Sequence, residues 1–317
     1  MVLSLFHNHS KCEIICVNGL GLKSLGLKIN LNKQNLMIHS KIDLHCHSTC
    51  SDGALSPEDL LARASKKGVE FLALTDHDTI AGQARALHAA KAHNIQMVSG
   101  IELSCVWSNY TIHVLGLNFD LDSQVMLDVE KKQTESRILR AQIIAEKLEK
   151  KGLPNIYQEA CSKSVSGVPG RPHFAEVLLE KGLVSSMGEA FKKYLGSGKP
   201  GDVKSLWPDI EEVTEWIKAA NGSAVIAHPR KYDITLTKLR KMIALFTECG
   251  GDGIEVITSG QKQGEVGMLS DLCQRMNLKG SLGSDFHSPN YAWAELGRIP
   301  NLPTSVEPVW SDWGLIS

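Results

Sequence analysis

The sequence lacks several features that would settle its class at once. No stretch of it approaches the 18 uninterrupted apolar residues of a membrane-spanning helix, so none is expected. Its eight cysteines (12, 16, 46, 50, 105, 161, 249 and 273) include no C-x-x-C pair, which removes zinc-ribbon and thioredoxin-like readings. Thiols scattered this way through a chain of 317 residues suit a reduced, cytoplasmic protein. Neither sign of charge is in excess: 34 Lys and Arg face 35 Asp and Glu, so no global basic surface advertises nucleic-acid binding. Internal repeats and low-complexity tracts are also missing. What remains is an ordinary globular balance, 43% hydrophobic and 22% charged, in a length that suits one α/β barrel with an insertion.

Residues 1–36 hold apolar patches broken by Lys11, Glu13, Lys23 and Lys28. No basic stretch precedes an apolar run, so a secretory signal is not expected. They read as a peripheral extension, with Met37 an alternative start. From residue 41 short apolar runs alternate with polar clusters and helical segments. Seven strands are expected, at 41–47, 69–75, 96–103, 111–119, 223–228, 253–258 and 280–284. Strands alternating with helices predict βαβ units and parallel pairing. Ser56 and Pro57 signal the start of the first helix and Gly68 its end; a second is expected from about Thr79. Residues 122–200 break the rhythm with helical patterns alone, near 123–151, from Pro172 and at 186–195. Within 130–200, thirteen Lys and Arg outnumber eight Glu. The expected organisation is therefore a barrel at 37–121 and 201–317 with a helical insertion domain at 122–200.

The chemistry gathers at predicted strand ends. In Asp43-Leu44-His45-Cys46-His47, alternation along a strand sends both histidines to one face and Leu44 and Cys46 to the other. Paired imidazoles suit a divalent metal. His7-Asn8-His9 has the same spacing with no supporting context. Behind His47 follow Asp52, then Thr75-Asp76-His77-Asp78, Glu102, His113, Ala227-His228-Pro229 and Gly283-Ser284-Asp285-Phe286-His287. One such histidine is most simply a hydrogen-bonded core residue; six of them with three carboxylates, nearly all at strand ends, form a site.

This series resembles the PHP superfamily of polymerase and histidinol phosphatase domains, over residues 41 to about 300. The resemblance implies a distorted (β/α)7 barrel with three divalent ions. The first would take His45, His47, Glu102 and Asp285, the second Asp52, His77 and His287, and the third Glu102, His113 and His228. Manganese is the first expectation, with zinc or iron as alternatives. Glu102, Asp285 and Asp52 would be the catalytic carboxylates. Three carboxylates and six neutral imidazoles under three divalent ions and one hydroxide leave about two positive charges, so the cavity should want an anion. Hydrolysis of a phosphoester by metal-bound hydroxide follows.

A second layer points to the substrate. Arg137 and Arg140 share a helix face. Gly170-Arg171-Pro172-His173 sits at a helix start, where backbone N–H groups favour an anion, and Arg230 follows His228-Pro229. Each arginine alone suits a solvated surface; together Arg137, Arg140, Arg171 and Arg230 suggest a clamp for a second phosphate. R-x-x-R and G-R-P-H in a long insert resemble the bacterial branch of 3′,5′-nucleotide bisphosphate phosphatases that also act as 5′→3′ exoribonucleases, and the resemblance implies that Arg137, Arg140, Arg171 and His173 face the substrate. The substrate implied is a phosphorylated nucleotide or a short RNA 5′ end, with no membrane and no obligatory protein partner. A metal-bound water, His173 and Asp78 are the candidates for protonating the leaving group. The alternatives are a histidinol-phosphate phosphatase and a non-catalytic PHP module.

Overall fold

The computed structural model describes strands at residues 3–8, 11–18 and 21–24, and the chain at 41–204 and 206–314. The chain divides into two units, drawn from residues 1–39 and 40–315. In the first, β1 (Leu3–Asn8), β2 (Lys11–Asn18) and β3 (Gly21–Ser24) pair in antiparallel order. These strands were not among those expected. His7 lies in β1, and His9 lies outside the described residues.

The second unit holds every candidate site residue. Its first sheet is parallel, with β4 (Lys41–Asp43), β5 (Val69–Ala73) and β6 (Gln96–Val98) in that order. The other strands are β7 (Gly100–Trp107), β8 (Tyr110–Leu117), β9 (Ser223–Ile226), β10 (Gly253–Thr258) and β11 (Lys279–Gly283). They form one sheet in the order β11-β10-β9-β8-β7.

Two expectations need correction. Residues 96–103 are not one strand, because the chain changes sheet at Ser99, whose hydroxyl donates to Phe119 O at 2.6 Å. A side chain at Gly100 would put its Cβ 2.4 Å from Leu74 O, so only glycine allows this crossing. Pairing is also not parallel throughout: β8 runs antiparallel to both β7 and β9. Ser108 and Asn109, at φ 46° and 68°, make the tight hairpin that reverses the chain.

Short stretches of backbone bonding link the two sheets at both edges. On one side Leu44 N donates to Leu282 O (3.1 Å) and His47 N to Phe286 O (2.9 Å). On the other, Glu102 N donates to Asp76 O (3.2 Å) and Asp78 N to Glu102 O (2.9 Å). The residues just beyond β4, β5 and β11 are therefore neighbours, and these carry His45, His47, His77 and His287.

Helices cover the sheets. α1 (Pro57–Lys66) begins as expected, with Ser56 Oγ accepting from Asp59 N at 3.1 Å. α2 (Gln83–His93) begins later than Thr79. Leu60, Leu61, Leu72, Leu74 and Phe286 are fully buried in the shared core. Between 122 and 200 no strand occurs among the described residues. That segment contains α3 (Gln124–Glu149), α4 (Ile156–Lys163), α5 (Arg171–Glu180) and α6 (Met187–Ala190), the last running into a π-turn at Phe191–Leu195. α4 was not expected; it follows Pro154 and a left-handed Asn155 at φ 60°. These helices share a core of their own around Ile144, Leu148, Phe174, Leu178 and Leu195. α7 (Ile210–Ala219), α8 (Leu236–Glu248) and α9 (Glu265–Met276) complete the unit. No helix among the described residues is long and apolar enough to cross a membrane.

Candidate metal centre and anion cavity

The chain leaves β4 still extended. Leu44 and Cys46 enter the core while His45 and His47 face the opposite way, and all four are inaccessible to solvent. His45 Nε2 and His47 Nε2 approach to 3.2 Å. Both face Glu102 Oε2, at 3.3 and 3.2 Å, and Asp285 Oδ1, at 3.5 and 3.3 Å. Beside them His77 Nε2 and His287 Nε2 flank Asp52, at 3.8 and 3.4 Å. Glu102 Oε1 lies 2.9 Å from His113 Nδ1 and 3.0 Å from His228 Nε2. The nine residues singled out in the sequence therefore come together. They make four overlapping groups, each with its donor atoms within 4.8 Å of one another: His47–Asp52–His77–His287, His45–His47–Asp285, His45–Glu102–His228 and His77–Glu102–His113.

The donor chemistry fits divalent ions. Glu102 is fully buried, yet its Oε2 accepts no hydrogen bond. His77 Nδ1 lies 2.9 Å from that oxygen and is likewise without a hydrogen-bond partner. Buried polar atoms left unpaired are costly. Nitrogen and carboxylate lone pairs converging on a common space are what a borderline-soft cation needs.

Four further residues hold this arrangement, and the sequence reading missed all four as site residues. Glu255 in β10 is fully buried; its Oε1 lies 2.9 Å from His45 Nδ1, and its Oε2 accepts from His228 N at 2.6 Å. It thereby aims His45 Nε2 at the centre. A lone acid in the otherwise apolar run Ile254-Glu255-Val256-Ile257 was the visible signal. Asp76 accepts from Ser48 N (2.7 Å), Ser48 Oγ and Ser51 Oγ (both 2.6 Å), which shapes the loop leading to Asp52. Asp43 accepts from Ser284 N (2.8 Å) and Gly297 N (3.0 Å), tying the first strand to the last. Lys231 Nζ lies 2.5 Å from Asp285 Oδ2, the oxygen turned away from the histidines. His228 (φ 29°), Asp78 (φ 57°) and Asp285 (φ 54°) have left-handed backbones, a strain that persists only where the surroundings enforce it.

The charges are strongly coupled. Burial alone would raise the carboxyl pKa values of Glu102, Asp285 and Asp52. The surrounding imidazoles, joined by Lys231 at Asp285, instead hold all three well below the usual range. Burial opposes the charged form of His47, but Asp285 and Glu102 outweigh it and push its pKa up to about 9. For His77 burial wins, and its pKa falls to about 4.

The arginines from α3 and α5 meet these histidines across one open cavity. Its walls include Asp52, His77, His113 and His287 on one side and Arg137, Arg140 and Arg171 on the other. Arg137 Nε donates to Asp78 Oδ2 at 2.7 Å. Asp78 also accepts from Ser104 N (2.6 Å) and Gln133 Nε2 (2.8 Å), so its carboxylate is committed to anchoring. Arg140 Nε donates to Val203 O at 2.8 Å, and the guanidinium lies 5.3 Å from the Trp207 ring. Burial, then repulsion from Arg171 and Arg137, pushes the Arg140 pKa down to about 9. Three guanidinium groups crowded together in this way make a wall that an anion would fit. Two other candidates stand elsewhere. His173 Nδ1 accepts from Gly170 N at 3.0 Å as part of the start of α5. Arg230 Nε points to Glu265 Oε1 at 3.3 Å. Neither lines the cavity.

Comparison with known proteins gives a consistent answer. The PHP domain model matches residues 43–220. A 5′-3′ exoribonuclease of Haemophilus influenzae is 47% identical over 270 residues, covering 85% of this chain and 98% of that protein. A 3′,5′-nucleoside bisphosphate phosphatase of Chromobacterium violaceum is 36% identical over 276 residues, covering 86% of this chain and 96% of that protein. A solved structure of an amidohydrolase from Chromobacterium violaceum, with bound sulfate and no metal, has a TM-score of 0.80 and 36% identity. It covers 86% of this chain and 95% of that one. The similarity thus runs along nearly the whole length of these relatives, and the chain belongs to the PHP domain family.

Proposed function

We propose that this protein is a metal-dependent phosphohydrolase that removes phosphate from 3′,5′-bisphosphonucleotides and releases nucleotides from the 5′ ends of short RNA. The observation that carries the reading is the shared cavity, with the metal-type donors Asp52, His77, His113 and His287 on one wall and three arginines on the other. The names of the exoribonuclease and bisphosphate phosphatase relatives agree with it. On this reading the two linked sheets act as an interrupted, distorted (β/α)7 barrel, and residues 122–200 are an insertion that brings the arginines over its rim.

His45, His47, Glu102 and Asp285 would hold one divalent ion, Asp52, His77 and His287 a second, and Glu102, His113 and His228 a third. Manganese is the first choice for such a mixed nitrogen and oxygen set. Ions there would supply Lewis-acid stabilisation of phosphoryl oxygens and a water acidic enough to be a nucleophile near neutral pH.

The protein's own part is positioning. Arg137, braced by Asp78, and Arg140, stacked on Trp207, present fixed forks of donors to the phosphate that does not react. Arg171, which contacts Leu195 O at 3.4 Å, closes the same wall. Holding the second phosphate places the reacting one before chemistry begins. Asp78 is fully engaged in anchoring, and His173 is turned into its helix start, so neither is assigned as the leaving-group acid.

The test compares substrates in Arg140→Ala and Arg171→Ala. A charge-assisted hydrogen bond contributes on the order of 1.5–3 kcal/mol, so kcat/KM for a bisphosphonucleotide should fall roughly tenfold to a hundredfold. Hydrolysis of p-nitrophenyl phosphate, which has no second phosphate, should change little. Equal slowing of both substrates would show that the arginines support the fold or the centre instead.

A further inference from the structure

On the far side of Asp285 lies a feature that the reaction on a mononucleotide leaves unused. Trp293 is 61% exposed and Tyr291 40% exposed, and their rings lie 6.2 Å apart. The Trp293 indole rests against the turn after β10, where a Cβ on Gly260 would meet its six-membered ring at 3.5 Å. The loop beneath is fixed: Tyr291 N donates to Ser288 O (3.1 Å), Ala294 N to Tyr291 O (2.9 Å), and Arg298 Nη1 to Ala292 O (3.0 Å). The Lys231 ammonium sits 6.0 Å from the Trp293 ring while bonded to Asp285. Neither Lys231 nor Trp293 lines the arginine cavity. A rigid, solvent-facing indole with a cation between it and the centre has the form of a stacking platform for a base joined to a phosphate.

We propose that Trp293, flanked by Tyr291, stacks the base of the nucleotide on the 3′ side of the scissile phosphate when the substrate is RNA. The inference rests on the nucleotide reading above and deepens it. A 3′,5′-bisphosphonucleotide fills the arginine cavity and the centre and ends there. A 5′-phosphorylated dinucleotide carries one more nucleoside on the reacting phosphate, which must leave the centre by another side. Lys231 and Trp293 mark that side, so one site serves both substrates and the platform is specific to RNA.

The experiment measures kcat/KM of metal-loaded wild type, Trp293→Ala and Trp293→Phe. The substrates are a 3′,5′-bisphosphonucleotide, a 5′-phosphorylated dinucleotide, and the same dinucleotide with an abasic second residue. Stacking predicts a loss of about fivefold to a hundredfold in Trp293→Ala on the dinucleotide, none on the bisphosphonucleotide, and substantial recovery in Trp293→Phe. The alanine effect should also vanish on the abasic substrate, a result that a structural role would not produce. Equal loss on all three substrates, or no loss on any, overturns the platform. Wild type that hydrolyses the bisphosphonucleotide but neither dinucleotide removes the RNA half of the functional reading and the platform with it.

Discussion

At the scale of single residues, the centre depends on groups that never touch an ion. Glu255 makes two contacts, at 2.9 Å to His45 Nδ1 and 2.6 Å to His228 N, from inside a fully buried strand. Partners of this kind typically contribute tenfold to a hundredfold in metal affinity. Glu255→Gln should therefore weaken Mn²⁺ binding by about that factor, read by titration of the metal-free protein. Unchanged affinity would show that His45 is aimed by packing alone. Protonation provides a second handle. The His47 pKa of about 9 in the metal-free protein means that its ring carries a proton at neutral pH. That raised value contributes stability fully present below about pH 6.5 and lost as pH rises through about 9. Metal needs the neutral ring, so Mn²⁺ should bind more tightly at pH 8.5 than at pH 6.5, with proton release on binding. Affinity that does not vary with pH would contradict this coupling.

At the scale of elements, the site is assembled from strand ends that other contacts hold in place. Glu295, in the loop after β11, accepts from Arg63 Nε (2.8 Å) and Nη2 (2.7 Å) on α1. Arg63, with Lys67 beside it, lowers the Glu295 pKa to about 2. A depressed carboxylate contributes stability present above its unfolded pKa of about 4.3 and lost as pH falls through about 2. Glu295→Gln should thus cost on the order of 1 kcal/mol at pH 7 and nothing near pH 2, a difference that thermal melts across that range would resolve. Most of the nine clustered residues were legible in the sequence because they sit in short motifs beyond strand ends; Glu102 and His113, which lie within β7 and β8, were legible only through their place in the series. The strand reversal was not, since Ser108-Asn109 is a weaker hairpin signature than Asn-Gly and the long apolar run 111–117 says nothing about direction. The break at Ser99 was hidden for a similar reason: only the close approach of Gly100 to Leu74 O reveals it. Among the arginines, spacing alone put Arg137 and Arg140 on one face. It did not separate Arg171, which reaches the cavity, from Arg230, which reaches Glu265.

At the scale of the whole molecule, two charge systems face each other. The sheets and the loops beyond them present three carboxylates and six imidazoles, and the helices at 124–195 present arginines whose mutual repulsion a bound anion would relieve. Neither half explains the other without a substrate between them: ions alone need no arginines, and an anion site alone needs no unpaired buried glutamate. Glu102 is the hinge of that pairing, since its two oxygens reach five histidines and Oε2 is buried without a hydrogen-bond donor. The most direct measurement is phosphate release from a 3′,5′-bisphosphonucleotide by Mn-loaded wild type and Glu102→Gln, with bound metal counted in both. The account predicts rapid release by wild type, and for the variant a loss of at least about a hundredfold, roughly 2.7 kcal/mol of barrier, with fewer ions bound. Turnover by the variant within about tenfold of wild type, at full metal content, would contradict it.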